Sequence, residues 1–295
     1  MDLVIQQTVN AVALGGTYAL LALGLAVIFA ILGMINFAHG ELMTITGYAL
    51  FFAASAGLPF ALGAPLAVLA AMSAAVLMER VAFRPVRGAG GATLLLTSFA
   101  VSVVLQVMFQ NLISTRPQVV PIPSVLTGAV SFGGITVGVI QILSIVVTVV
   151  MLVLLTLFLR HTTIGLAMRA AAADFPVTRL MGVRVNAVIS TAFAISGLLA
   201  AVAGILWIAQ RASVDPMMGF VPVLKAFIAA ILGGLGSLSG AVAGGFLLGF
   251  FEIYLAAFLP ENLLPFRDAI ALALVIVVLL LRPDGLIARR QETAR

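Results

Sequence analysis

Nine long apolar segments recur along this chain of 295 residues, and short polar or glycine-rich stretches separate them. A helix of about 20 apolar residues is long enough to cross the hydrocarbon core of a bilayer. Lipid offers no hydrogen-bond partners, so the backbone of such a segment must be helical. We therefore predict an all-α integral membrane protein. The segments lie near residues 10–32, 42–57, 61–79, 93–113, 137–159, 187–208, 223–237, 241–258 and 268–281.

The spacing of these segments allows eight or nine crossings. Two pairs are short for full crossings, 42–57 with 61–79 and 223–237 with 241–258, and each pair can be broken or re-entrant. We predict a polytopic bundle of 8–9 transmembrane helices, some broken or re-entrant. No polar stretch is long enough for a soluble domain, so residues 1–295 are expected to form a single transmembrane domain.

The composition supports a membrane protein and excludes other classes. Hydrophobic residues make up 63% of the chain and charged residues 8%, whereas about a quarter of residues are charged in soluble domains. The net charge of +5 does not indicate nucleic-acid binding, because the arginines stand singly or in short clusters without interleaved aromatics. Cysteine is absent, which excludes disulfides. The start, MDLVIQQTVN, lacks the basic flank of a cleaved signal peptide, so the first helix is expected to be retained.

The 15 basic residues divide unequally between alternate loops. Eleven lie in 79–92, in 160–186 and in the C-terminal tail, and four lie in or near the other loops. Cytoplasmic loops are enriched in Lys and Arg, so the C-terminus is predicted to be cytoplasmic. Nine spans would then place the N-terminus outside, and eight would place it inside. The eleven are Arg80, Arg84, Arg87, Arg160, Arg169, Arg179, Arg184, Arg282, Arg289, Arg290 and Arg295, and the four are Arg116, Arg211, Lys225 and Arg267.

The stretch INFAHGEL, residues 35–42, places Asn36, His39 and Glu41 at the end of an apolar run. Polar groups at this depth are costly unless they are paired or hydrated. One interpretation is a turn in which Asn36 and Glu41 cap helix ends. The other is a helix break that lines a cavity. The only other histidine, His161, lies in a separate loop, so the pattern does not favour a metal site.

A glycine-rich stretch runs from residue 231 to residue 252. Its glycines recur at intervals of four, which lets helix backbones approach closely. Its low helix propensity also favours a discontinuous helix whose free amides contact a polar solute. No GK[ST] follows, so any ATP would bind to another polypeptide. Gly244, Gly245 and Gly249 are the packing candidates, and Gly236, Ser237, Ser239 and Gly240 are the candidates for the break.

The 160–186 segment mixes basic and apolar residues, which is unusual for a simple linker. Its alanines favour a short helix at 166–173. Pro176 suits the first turn of a second helix, and Gly182 suits its end. These helices can lie on lipid headgroups, with arginines toward phosphate. Alternatively, they can present an apolar face to a groove in a soluble partner.

Three strings together carry a family resemblance. They are GMINFAHGELMTITGY at 33–48, the loop with Arg-Ala-Ala at 169–171 and Leu-Met-Gly-Val at 180–183, and GGLGSLSGAVAGG at 233–245. In this order they resemble the branched-chain amino-acid ABC transporter permease family, and more narrowly the first of its two permease subunits. The resemblance covers nearly the whole chain in length, order and hydropathy.

The resemblance implies an importer in the bacterial inner membrane. Its partners would be a second permease subunit, two cytoplasmic ATPase subunits that carry ATP and Mg²⁺, and a periplasmic solute-binding protein. The chain itself would bind no cofactor or metal and would carry no catalytic residue. Many relatives have two alanines where Val177 and Thr178 stand here. In the family the basic loop enters a cleft of the ATPase, which carries over to Gly165, Arg169, Ala171, Asp174, Arg179, Leu180 and Gly182.

The resemblance also implies that Asn36, His39 and Glu41 terminate a helix beside the translocation path or a subunit interface. Leu, Ile and Val are the favoured solutes, although relatives also serve other amino acids, urea-like amides or aromatic acids.

The alternative function is an ion-coupled secondary transporter or a channel for a small solute. That class needs ionisable groups deep in several spans. Here only Glu41, Glu79, Lys225 and Glu252 lie near spans, mostly at their ends. An intramembrane enzyme is disfavoured because the chain has no HExxH, no GxSxG and no cysteine.

Overall fold

The computed structural model describes residues 2–132, 135–283 and 285–287, which form twelve α-helices and two small antiparallel sheets. A π-helical turn at Glu79–Phe83 and a 3₁₀ turn at Arg84–Val86 continue α3, and a 3₁₀ turn at Leu264–Phe266 precedes α12. Strands β1 and β4 pair with each other, as do β2 and β3. The elements are α1 Asp2–Leu32, α2 His39–Ser55, α3 Phe60–Met78, α4 Gly91–Leu112, β1 Gln118–Val119, α5 Ser124–Thr127, β2 Ala129–Phe132, β3 Ile135–Gly138, α6 Val139–His161, α7 Thr163–Ala173, α8 Phe175–Leu180, α9 Val185–Arg211, β4 Ser213–Val214, α10 Phe220–Gly233, α11 Leu238–Phe258 and α12 Arg267–Leu281.

The predicted fold class is confirmed, because the described chain is an all-α polytopic membrane protein. Seven of its helices are long and apolar enough to cross a bilayer. The predicted count of 8–9 crossings is not confirmed, because the other two predicted segments fold as the shorter helices α2 and α10. These helices contain 17 and 14 residues, fewer than the ~20 that a full crossing requires.

The two groups of loops that differ in basic content lie at opposite ends of the bundle. At one end, Arg87 donates a hydrogen bond of 2.8 Å to Asn186, which joins the turn after α3 to the 160–186 segment. At the other end, Gln118 pairs with Val214, which joins the chain after α4 to the chain after α9. The tail residues Arg289, Arg290 and Arg295 lie outside the described residues.

The N-terminal helix begins at the end opposite the 160–186 segment. Helices α1 and α11 are antiparallel, since Thr8 bonds Tyr254 at 2.8 Å while Phe29 is the nearest neighbour of Gly236. Leu238, at the start of α11, shares a small cavity with α7. The backbone of Leu286 bonds the last turn of α10 at 2.9 Å, close to the same end. The two ends of the described chain are therefore on opposite sides, which requires an odd number of crossings.

Helices α1 and α9 form the centre of the bundle. Their most apolar stretches are 83% and 72% buried, whereas that of α12 is 11% buried. Lipid is as apolar as leucine, so membrane helices associate through close packing of small residues rather than through hydrophobic burial. The outer helices thus leave apolar faces for lipid or for other chains.

The glycines of α11 allow two close helix contacts. A Cβ atom at Gly245 or Gly249 would overlap the backbone of α1, at Ala19 and Gly15 respectively. A Cβ atom at Gly244 would overlap the Ala229 carbonyl of α10. Helix α11 therefore packs on α10 with one glycine face and on α1 with the other.

Substitution of Gly245 by alanine should destabilise the bundle. The added methyl must separate α11 from the α1 backbone, and overpacking of this kind costs about 1–3 kcal/mol. Thermal unfolding of the purified protein in detergent measures the effect. Gly91→Ala is the matched control, because a Cβ atom there meets nothing within 4 Å. Equal melting temperatures for the two variants would contradict close packing at Gly245.

Candidate functional site

The chain breaks between α1 and α2, at residues 33–38, as one of the two interpretations of INFAHGEL predicts. Gly33 has φ of 63°, a left-handed conformation that glycine adopts without strain. The alternative, capping by the side chains of Asn36 and Glu41, is wrong. The N-cap residue of α2 is Ala38, which has no capping side chain, and Asn36 contributes only its backbone carbonyl to the His39 amide, at 3.2 Å.

His39 is completely buried at the start of α2. Its Nδ1 lies 2.9 Å from the hydroxyl of Ser196 on α9. Its ring fills the space beside Gly24 on α1, where a Cβ atom would overlap the imidazole. His39 therefore connects the break to both central helices.

Glu41 is also completely buried, and it faces α4. Its Oε1 accepts hydrogen bonds from Ser102 at 2.8 Å and from Gln106 at 2.7 Å. One turn earlier on α4, Ser98 accepts a bond of 3.2 Å from the backbone amide of Phe37. A polar face of α4 thus holds both the break and the first turn of α2.

Both amide atoms of Asn36 have no hydrogen-bond partner among the described residues, whereas the His39 ring also faces the backbone of Leu21 and the Glu41 carboxyl group also faces Thr44. Buried polar groups almost always bind protein, water or a ligand. Their concentration on one short stretch fits a place where a polar molecule can bind inside the bundle.

The second break lies between α10 and α11. Gly234 and Gly236 have φ of 107° and 84°. The Ser237 hydroxyl accepts a hydrogen bond of 3.1 Å from the Gly240 amide and so caps α11. The Ser239 hydroxyl lies 3.4 Å from the Ser237 hydroxyl. The first break bonds to α4 and α9, whereas this one packs against the end of α1 and residue 285. The structure therefore does not place the two breaks in one cluster.

The 160–186 segment folds as the predicted pair of short helices. Thr162 caps α7 through the Gly165 amide at 2.9 Å, and Asp174 caps α8 through the Val177 amide at 3.0 Å. Pro176 lies in the first turn of α8, and Gly182 has φ of 80°.

Only part of this segment faces outward. Gly165 and Ala171 pack inward, whereas Arg169 and Arg179 are exposed. Leu180 and Met181 are 85% and 79% exposed at the tip of α8. A groove of about 780 Å³ opens beside them, and its lining includes Arg87, Phe175, Arg179, Arg184 and Asn186. The segment therefore presents apolar side chains next to a basic surface.

Sequence reasoning missed two sets of paired polar residues. Ser98, Ser102 and Gln106 of α4 recur every four residues and so share one face of the helix, a signal that the sequence contains. Lys225 of α10 bonds Glu252 of α11 at 2.7 Å and Asp268 of α12 at 3.3 Å, and Tyr18 of α1 donates to Glu252 at 2.8 Å. This second set comes from four separate helices, and no local pattern indicates it.

Replacement of Gln106 by leucine should destabilise the contact between α2 and α4. The carboxyl group of Glu41 would lose a donor while it stays buried, which costs about 1–3 kcal/mol. Thermal unfolding in detergent measures the loss. Gln110→Leu, one turn further along α4 and only half-buried, is the control. A Gln106 variant as stable as the control would show that Glu41 does not need this bond.

Comparison with known proteins identifies the family. Residues 7–279 match the family described as "Branched-chain amino acid transport system / permease component". The chain is 38% identical to the high-affinity branched-chain amino acid transport system permease protein BraD of Pseudomonas aeruginosa, over 97% of this chain and 96% of that protein. It is 36% identical to the corresponding permease protein LivH of Escherichia coli, with the same coverage.

A solved structure shares the fold at low identity. PsaBC from Streptococcus pneumoniae, solved in complex with a Fab, aligns with a TM-score of 0.50 at 12% identity and covers 96% of this chain and 92% of that chain. The sequence relatives are permease proteins of transport systems, which agrees with the resemblance to ABC importer permeases and not with an enzyme or an ion-coupled carrier. The chain belongs to the family of permease components of branched-chain amino acid transport systems.

Proposed function

We propose that this chain is the permease subunit through which an ATP-driven importer carries branched-chain or related apolar amino acids across the bacterial inner membrane. Its partners are a second permease subunit, two cytoplasmic ATPase subunits that carry ATP and Mg²⁺, and a periplasmic solute-binding protein. The observation that carries the proposal is the similarity, over nearly the whole length, to two high-affinity branched-chain amino acid permease proteins.

The 160–186 segment is the docking site for an ATPase subunit. Leu180 and Met181 are almost fully exposed at the tip of α8. Removal of their apolar surface from water by a bound partner would therefore stabilise the complex. The arginines of the adjacent groove favour an acidic partner surface. The capped helix ends at Thr162 and Asp174 hold the tip in a defined position, which reduces the entropy lost on docking.

The break at Asn36, His39 and Glu41 forms part of the translocation path, closed in this conformation. The unpartnered amide of Asn36 can replace water around the ammonium and carboxylate groups of an amino acid. The second break, between α10 and α11, gives α10 a hinge at its end, because Gly234 and Gly236 both have positive φ. Many transporters bind their solutes where helices are discontinuous.

Two sets of charged groups inside the bundle are ion-paired, unlike the hydrogen-bonded Glu41, and these pairs favour ATP coupling over ion coupling. Lys225 is paired with Glu252 and Asp268, and Glu79 is paired with Arg84 and Arg87. A carboxyl group that takes up ions or protons in each cycle needs to be free to exchange its partner. Paired groups of this kind hold helices in position instead.

The variant Leu180→Asp should abolish docking without unfolding the protein. An aspartate at the tip would be buried unpaired when the ATPase binds, and loss of a central anchor costs roughly tenfold or more in affinity. Copurification of the ATPase subunits and uptake of radiolabelled leucine, isoleucine and valine measure the effect. Val125→Asp makes a similar change at a residue 76% exposed on the opposite end and should keep both. ATPase subunits that copurify equally with both variants would refute docking through α8.

Engineered cysteines should report the two sides separately, because the chain has no cysteine of its own. Met181→Cys should react with an impermeant maleimide only in inside-out vesicles. Val125→Cys should react in cells whose outer membrane is permeabilised and whose inner membrane is intact. Both positions are more than three-quarters exposed, so when the chain is expressed without its partner subunits access depends on side alone. Labelling of Met181→Cys in the cells with an intact inner membrane would contradict a cytoplasmic 160–186 segment.

A further inference from the structure

Glu79 is a completely buried carboxylate at the point where α3 changes into a π-helical turn. Its two oxygens accept hydrogen bonds from Arg84 at 3.3 and 3.4 Å, from Arg87, and from Ser190 at 2.8 Å. A buried charge is tolerated only when it is paired and hydrogen-bonded, and removal of a partner is strongly destabilising. Turns of π-helix inside α-helices often mark functional sites.

The partners of Glu79 connect three parts of the chain. Arg84 and Arg87 come from the turn between α3 and α4, whereas Ser190 lies on α9. Arg87 also donates a hydrogen bond of 2.8 Å to Asn186, the second residue of α9. Since α9 starts five residues after α8 ends, this cluster ties the 160–186 segment to α3 and α4.

Helix α9 continues from this cluster to the first break. Ser196, which contacts His39, lies six residues beyond Ser190, a rise of about 9 Å along the helix. Next to Ser196, α3 and α9 are in close contact, because a Cβ atom at Gly197 would meet Ala75 and the backbone at Ala71. The two helices are thus fixed to each other at both places, at the cluster through Ser190 and beside the break through Gly197.

We propose that Glu79 is a positioning residue for transport, which locks α3 and the turn before α4 onto the start of α9. A displacement of the 160–186 segment then moves α9 and α3 as one body and reaches His39 and the break. This inference rests on the proposed function, in which the ATPase subunits displace that segment.

The test is Glu79→Gln in the complete transporter reconstituted in proteoliposomes. Solute transported per ATP hydrolysed should fall about fivefold or more, the range of coupling between distant sites. Basal ATP hydrolysis and copurification of the ATPase subunits should persist. Glu79→Asp, which keeps the charge, should restore part of the ratio. Arg80→Gln removes an exposed charge from the same turn and should leave the ratio unchanged.

Two outcomes overturn the inference: an unchanged ratio in Glu79→Gln, or uptake and hydrolysis that fall in step. If Glu79→Gln does not assemble, Ser190→Ala removes a single hydrogen bond, and its ratio decides in the same way. Failure of the proposed function has a different sign, because the ATPase subunits would then still copurify with the Leu180→Asp variant. The present inference concerns only the amount of solute transported per ATP hydrolysed.

Discussion

Helices in a bilayer gain little by burying apolar side chains against one another, because lipid is equally apolar. Two kinds of contact remain, and this bundle uses both. Backbones approach closely at small residues, as at Gly245 against Ala19. Polar groups pair across helices, as Lys225 does with Glu252. The arrangement of the bundle therefore depends on few residues, while its many valines and leucines fill volume and face lipid.

The same constraint explains where the two short helices lie. Helices α2 and α10 start against each other, at Gly40 and Gly219, where neither backbone leaves room for a Cβ atom. The Gly219 amide donates a hydrogen bond of 3.2 Å to the Thr44 hydroxyl, so a side chain of α2 is the acceptor for an amide near the start of α10. Backbone that is neither helical nor paired is tolerated at membrane depth only when protein or water surrounds it. Enclosure by α1, α4 and α9 makes the first break possible.

Much of this architecture could be predicted because it depends on composition and local chemistry. Hydropathy predicts a span at 187–208, and α9 covers it as Val185–Arg211. The helices of the 160–186 segment follow from alanine content, Pro176 and Gly182, all of which act within a few residues. The count of crossings could not be predicted in the same way, because a short apolar helix such as α10 has the same composition as a spanning one.

What could not be predicted is set by contacts between distant residues. The carboxyl group of Glu41 meets Ser102, 61 positions away, only because α4 packs its polar face on α2. Hydropathy indicates that Glu41 is costly but not which helix satisfies it. The role of α9 is hidden for the same reason, since Ser190 and Ser196 are ordinary residues of an apolar span. Their partners are Glu79, directly after the last residue of α3, and His39, the first residue of α2. One rigid helix, α9, therefore joins two sites that are far apart in the sequence.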